Sequence, residues 1–281
     1  MVTVVDANRF WHDYSSGESL LDRAQGASPE DERDVVDLLV SQIEFCDVLV
    51  LNKCDLVDES SLAKLEATLR KLQPRARLVR SVKGRVDLKE ILDTGLFDMD
   101  AASQSAGWQR ELGRPEHTPE TEEYGISSFV YRSRVPFHPA RLAAFFAAWP
   151  TEVVRAKGLI WIASRNQIGV MLSQAGPSLG LDPAGHWLAT LGEQEQREAL
   201  EEDPDMARLW HERWGDRRTE LVMIGIEMDV VATTKALDDC LLSMTEMDAE
   251  WSDFYDPLPE FADAEDSDEA DSLSPHSVSP H

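Results

Sequence analysis

The chain has 281 residues, 42% hydrophobic and 28% charged, the balance of a folded globular protein rather than a collagen, a wholly disordered chain or a disulfide scaffold. No apolar run approaches the roughly 20 residues a membrane-spanning helix needs. Residues 1–6 carry no basic stretch or cleavage site, and the three cysteines are dispersed without a CxxC pair, so a cytoplasmic protein with reduced thiols is expected. A formal charge of −26 repels phosphate backbones and anionic lipid, which argues against nucleic acid or a membrane as a partner.

In chain order, residues 1–5 form a short apolar run ended by Asp6 and predict a buried parallel strand. Val35, Leu38, Leu39, Gln42 and Ile43 put an apolar stripe on a helix near residues 34–45. Residues 47–51 (DVLVL) predict a second buried strand. Leu62, Leu65, Leu69 and Leu72 share one face of a helix closed by Pro74. Residues 76–81 predict a third strand and residues 86–92 a short helix. Strand, helix, strand, helix, strand is the rhythm of a parallel sheet with crossover helices.

The apolar pattern stops between residues 98 and 123, which predicts a linker joining a first domain (1–97) to a second (124–245). The second domain opens with a strand at 126–131 and a helix at 139–149 whose apolar face carries Leu142, Phe145, Phe146 and Trp149. Strands are expected at 153–164, 167–173 and 220–228, and helices at 192–201, 205–214 and 233–244. Strands that follow one another directly predict an α+β module with an antiparallel sheet. From Glu246 on there are twelve acidic residues and no basic ones, leaving −14 for the first 245. That composition predicts a solvated, disordered tail at 246–281. Its His276 and His281, among carboxylates, make a weak metal-buffering or docking arm the sharper alternative.

The most informative element is Asn52-Lys53-Cys54-Asp55 directly after the strand at 47–51. A carboxylate at Asp55 can accept from both N1–H and the exocyclic amino group of guanine. Adenine does not present that pair and would leave a charged acceptor unpaired. Lys53 can lay its methylene stem along the base, and Asn52 can tie the loop to its neighbours. Open α/β sheets bind ligands beyond the carboxyl ends of their strands, where this tetrapeptide stands. The weaker Ser81-Val82-Lys83-Gly84 follows the next strand, where a second loop would reach the base; both stretches also read as ordinary turns. No GxxxxGK[ST] phosphate loop occurs, because none of the seven lysines follows a glycine.

Residues 2–7 (VTVVDA), 42–56 (QIEFCDVLVLNKCDL), 84–88, 136–142 (PFHPARL), 155–163 (RAKGLIWIA) and 214–225 (WGDRRTELVMIG) together resemble the CobW family of P-loop GTPases. The resemblance runs from residue 1 to about 244. It implies the later part of a GTPase domain, then a smaller CobW C-terminal domain, in a GTP-dependent metal chaperone or insertion factor that serves a client protein, often with zinc. It implies guanine contacts at Asn52, Lys53 and Asp55, flanked by Ser81, Val82 and Lys83. The family's phosphate loop and CxCC motif lie upstream of the stretch matched by residues 2–6, so Mg²⁺ and Zn²⁺ are expected of the longer protein, and an N-terminal truncation is the expectation here. The competing expectation is a non-enzymatic interaction module derived from such a GTPase.

Other residues carry blander expectations. His12, His117, His138, His186 and His211 lack ligand spacing and read as structural or surface groups. Trp210 and Trp214, one helical turn apart, read as core. Residues 215–218 (GDRR) read as a turn or a charged interaction edge. Cys54 reads as a small residue at a free position, and Asp6 as a cap for the next turn or a neighbour of Mg²⁺-bound water.

Overall fold

The computed structural model describes residues 1–23, 34–98, 120–121 and 123–261, with Gln109 and Leu112. The first module comprises β1 (Val2–Asp6), α1 (Phe10–Tyr14), α2 (Val35–Glu44), β2 (Val48–Asn52), α3 (Glu59–Leu72), β3 (Arg77–Arg80) and α4 (Leu88–Ile91). Its sheet has the order β1-β2-β3 and is parallel throughout, with Asp6 opposite Asn52. The leucines of α3 and the apolar face of α2 meet Val5, Leu49 and Leu51 in one core. Asp58 caps α3 by accepting from Ser61 N–H at 3.0 Å, a bond that ordinarily contributes about 1 kcal/mol.

One expectation fails at β1. Val5 is buried, but Val2 and Val4 are 46% and 62% exposed. Alternation explains it: Thr3 and Val5 turn toward α2, where Thr3 Oγ1 donates to the Gln42 carbonyl at 2.8 Å, and Val2 and Val4 take the opposite face of an edge strand.

The second module comprises β4 (Glu120–Thr121), β5 (Ile126–Ser133), α5 (Pro139–Ala147), β6 (Val153–Ile160), β7 (Ile168–Ala175), β8 (Ser178–His186), α6 (Glu193–Glu202), α7 (Pro204–Leu209), β9 (Thr219–Ile226) and α8 (Val230–Asp238). Its six-stranded antiparallel sheet has the order β4-β5-β9-β6-β7-β8. The helix expected at 205–214 stops at Leu209. Residues 211–215 instead form a tight loop closed by His211 N–H to Gly215 O at 2.8 Å and the reverse bond at 2.7 Å. That loop places Trp214 against Trp161 at 5.4 Å. The GDRR stretch is structural: Asp216 accepts from the Leu188 and Ala189 amides, both at 2.9 Å, while Arg217 donates to the carbonyls of Asn166 and Trp214.

The modules share a core and a buried polar clasp. Arg155 on β6 donates to both carboxylate oxygens of Glu44 at the end of α2, at 2.8 and 3.1 Å, and the two side chains are 4% and 2% exposed. Arg155 also donates to Ser173 Oγ and the Gln174 carbonyl, both at 3.0 Å. Tyr14 donates to the Val154 carbonyl and accepts from Gly176 N–H at 2.9 Å. Burial keeps that phenol neutral by pushing its pKa far up. Gly176 has φ +53°, and a Cβ there would lie 2.2 Å from the Tyr14 carbonyl, so only glycine allows the approach.

Residues 246–261, expected to be disordered, pack back on the second module; 262–281 of the expected tail lie outside the described residues. Trp251 packs against Trp161 and Trp214 at 5.9 and 6.0 Å, Phe254 stacks on His138 at 4.9 Å, and Leu258 is buried. Arg141 forms a two-pronged pair with Glu246 at 2.7 and 2.9 Å, and Arg165 Nε meets Asp256 at 2.8 Å. Aromatic side chains spaced through an acidic stretch supply the apolar area that composition alone concealed.

This docking is expected to be acid-labile. Arg141 and the Ser243 amide hold Glu246 below its ordinary 4.5. Burial would raise Asp256, but Arg165, Ser164 and the Leu258 amide together lower it. Burial and Arg141 lower His138, whose Nδ1 accepts from Ala140 N–H. All three shifts are downward, so each contributes stability above its unfolded pKa and loses it as pH falls toward the folded one. The urea midpoint of the tryptophan signal should therefore begin to fall as pH drops below about 6.5, the ordinary histidine value that the unfolded chain regains, and fall further below about 4.5, the ordinary glutamate value. A midpoint flat from pH 7 to 3.5 would contradict this account.

Candidate functional site

The site lies at the carboxyl ends of β1, β2 and β3. Asn52 closes β2, and its Oδ1 accepts from Gly84 N–H at 3.0 Å, which ties the loop after β2 to the loop after β3. Cys54 N–H donates to the Ser81 carbonyl at 3.2 Å, and Ser81 N–H to the Leu51 carbonyl at 2.8 Å. Ser81 is buried, and its Oγ donates to the Arg85 carbonyl at 3.1 Å, closing the 81–85 loop on itself. Lys53 and Lys83 both adopt left-handed backbone, at φ 60° and 54°. For residues with a Cβ that conformation costs on the order of 1 kcal/mol, and such strain concentrates at functional loops.

The loops enclose a cavity of about 530 Å³ lined by Cys54, Asp55, Arg80, Ser81, Val82, Lys83 and Arg85. Asp55 is exposed, and among the described residues its carboxylate meets no donor. Val82 contributes an apolar surface that is 41% exposed. Asn52 and Lys53 brace this cavity without lining it. Lys53 Nζ reaches Asp6 Oδ2 at 2.6 Å, while Asp6 Oδ1 accepts from the Asn8 and Arg9 amides at 3.0 and 3.3 Å. Asp6 therefore caps the turn into α1 and anchors the lysine at the same time.

Two features of the site have no motif in the sequence. Arg80 and Arg85 line the cavity, Arg80 with its guanidinium paired to Glu59 and Glu66, and the signal available was two arginines bracketing SVKG. The Asp6–Lys53 pair joins residues 47 apart and becomes visible only once β1 lies beside β2.

Cys54 is half-buried, its thiol donating to the Leu51 carbonyl at 3.0 Å. Burial pushes the thiols of Cys46 and Cys240 up to about 11, which leaves them almost wholly protonated and unreactive near neutral pH. No three described His, Cys, Asp or Glu side chains come together as a cation site, so the described residues do not fit a bound metal. Among the described residues, no helix is long and apolar enough to cross a membrane.

A parallel α/β sheet with a polar cavity at its strand ends, joined to an antiparallel α+β module, defines a nucleotide-binding domain with an appended second domain. Residues 1–80 match the CobW/HypB/UreG nucleotide-binding domain, and residues 126–241 match the cobalamin synthesis protein cobW C-terminal domain. The chain belongs to the CobW family. It is 43% identical over 265 residues to zinc-regulated GTPase metalloprotein activator 1 of Dictyostelium discoideum, covering 92% of this chain and 55% of that protein. It is 31% identical over 268 residues to the zinc chaperone Rv0106 of Mycobacterium tuberculosis, covering 94% of this chain and 62% of that one. The chain thus spans little more than half the length of the curated relatives it matches. The crystal structure of the Zn(II)-bound YjiA GTPase from E. coli is similar at 15% identity and a TM-score of 0.32, covering 86% of this chain and 60% of that one.

Proposed function

We propose that the cavity beyond β2 and β3 holds the base of a guanine nucleotide. Asp55 accepts from N1–H and the amino group, Ser81, Val82 and Lys83 flank the ring, and Asn52 and Lys53 hold the loop in register. In this reading residues 1–97 are the later part of a GTPase domain, 98–123 a linker and 124–245 the C-terminal domain of a cytoplasmic, GTP-dependent zinc chaperone or insertion factor acting on a client protein. The names of its relatives, a zinc-regulated GTPase metalloprotein activator and a zinc chaperone, support that class. Three free cysteines suit a reducing compartment. A GxxxxGK[ST] loop and a CxCC motif are both missing from these 281 residues. In this reading Mg²⁺, the phosphates and the zinc cargo are not assigned to these residues, and the chain by itself is expected to bind guanine nucleotides weakly and to hydrolyse none.

The observation that carries this reading is a carboxylate without a donor among the described residues, set on a braced and strained loop at a cavity of about 530 Å³. Alkylation tests it. Iodoacetamide should label Cys54 and spare Cys46 and Cys240. Millimolar GDP should slow that labelling while ADP leaves it unchanged. Equal protection by the two nucleotides, or by neither, would remove the guanine assignment.

A further inference from the structure

A second cavity, of about 590 Å³, opens between the modules on the far side of the Tyr14 clasp. That is a size typical of ligand sites, which favour domain junctions. Trp11 and Tyr14 of α1 line it from one module; Phe146, Trp149 and Leu179 line it from the other. Two aromatic rings pack on Trp149, Phe145 edgewise at 5.4 Å and Phe146 tilted at 6.0 Å. Two buried polar atoms of lining residues, the Trp149 indole N–H and the Gln174 side-chain carbonyl, have no hydrogen-bond partner. Gln174 is only 1% exposed, and its amide nitrogen is already committed to the Gly176 carbonyl at 2.6 Å. Buried polar groups are rarely left so. Glu152 and Glu227 stand exposed on the lining loops with no ion-pair partner among the described residues, against a single lysine, Lys64.

We propose that this junction cavity is a docking site for a basic, apolar peptide segment of a partner protein. One bulky side chain enters the aromatic pocket, and a flanking Lys or Arg meets Glu152 and Glu227. The −26 charge of the chain draws a cationic partner and repels an acidic one. This inference does not rest on guanine binding, because α1, α5 and the β6–β7 edge form the site without nucleotide.

The test is calorimetric titration of the whole 281-residue chain, without nucleotide, by acetyl-Lys-Phe-Leu-Lys-amide. The controls are acetyl-Glu-Phe-Leu-Glu-amide, acetyl-Lys-Ala-Ala-Lys-amide and acetyl-phenylalaninamide. The first peptide should bind at least about tenfold more tightly than any control, and its affinity should fall with salt. Glu152→Gln with Glu227→Gln, both exposed and so safe for folding, should weaken it severalfold and flatten the salt dependence. Trp149→Phe, which keeps an aromatic side chain but shrinks the apolar wall, should weaken it without abolishing it. Failure of every peptide to bind, equal binding of the acidic peptide, or indifference to the double substitution would overturn the proposal. Tight binding of acetyl-phenylalaninamide alone would replace the partner protein with a small molecule and overturn it as well.

Discussion

Arg155→Met should destabilise the chain by about 3–5 kcal/mol, because it takes the two-pronged donor from the Glu44 carboxylate in a core from which water is excluded. The guanidinium donates to both oxygens of that carboxylate, and methionine fills much of the same volume while offering no proton. The loss is therefore mostly that of charge pairing at a buried carboxylate rather than of packing. Glu44→Leu combined with Arg155→Met separates the two, since an apolar pair of similar bulk often restores or exceeds the stability of a buried ion pair. Urea unfolding followed by circular dichroism should show a large shift for the single variant and recovery of most of it in the double. A cost below about 1 kcal/mol for Arg155→Met, the range of an exposed pair, would mean that water reaches the clasp. Because Glu44 ends the helix before β2, the same variant should also raise amide exchange in β6 and β7, which the clasp holds against the first module.

Asp55→Asn should invert base preference, and its effect belongs to the site rather than to the fold, since Asp55 is exposed and has no protein donor among the described residues. The carboxylate only accepts, whereas the amide both accepts and donates. Xanthine carries an oxygen where guanine carries its amino group, so the amide N–H of asparagine gains a partner there. Two charge-assisted bonds to guanine would be weakened together; at about 1.5–3 kcal/mol each, the loss for GDP reaches at least the order of a hundredfold if both are forfeited. Saturation-transfer NMR suits the weak binding expected here, with GDP and XDP competing in one sample. An unchanged ratio of the two nucleotides would show that Asp55 does not read the base, and the proposed function would fall with it. The peptide titration at the junction cavity would be untouched by that result.

Much of the fold was legible along the chain because local periodicity carried it. The i, i+3, i+7, i+10 leucines required α3, and DVLVL bounded by polar residues required β2. The direct succession of strands after residue 150 foretold an antiparallel sheet. Strand β8 was missed because Gly180, Pro183 and Gly185 are poor strand residues, tolerated here on the exposed edge of the sheet. Helix α1 was missed because five residues are too few to show a period.

At the site, the sequence by itself determined that NKCD follows a buried strand and that SVKG follows the next, since both statements concern neighbours along the chain. Only the tertiary structure decided that Gly84 braces Asn52, that Asp6 holds Lys53, and that Arg80 and Arg85 wall the cavity. The clasp between Glu44 and Arg155 spans 111 residues, and the docking of Trp251 and Asp256 spans about 90. Composition read both wrongly or not at all, because a charge counts as solvated and an acidic stretch as disordered until a partner is supplied. That partner comes from another part of the chain, and burial of the pair, a property of three-dimensional packing, turns an ordinary surface residue into a structural one.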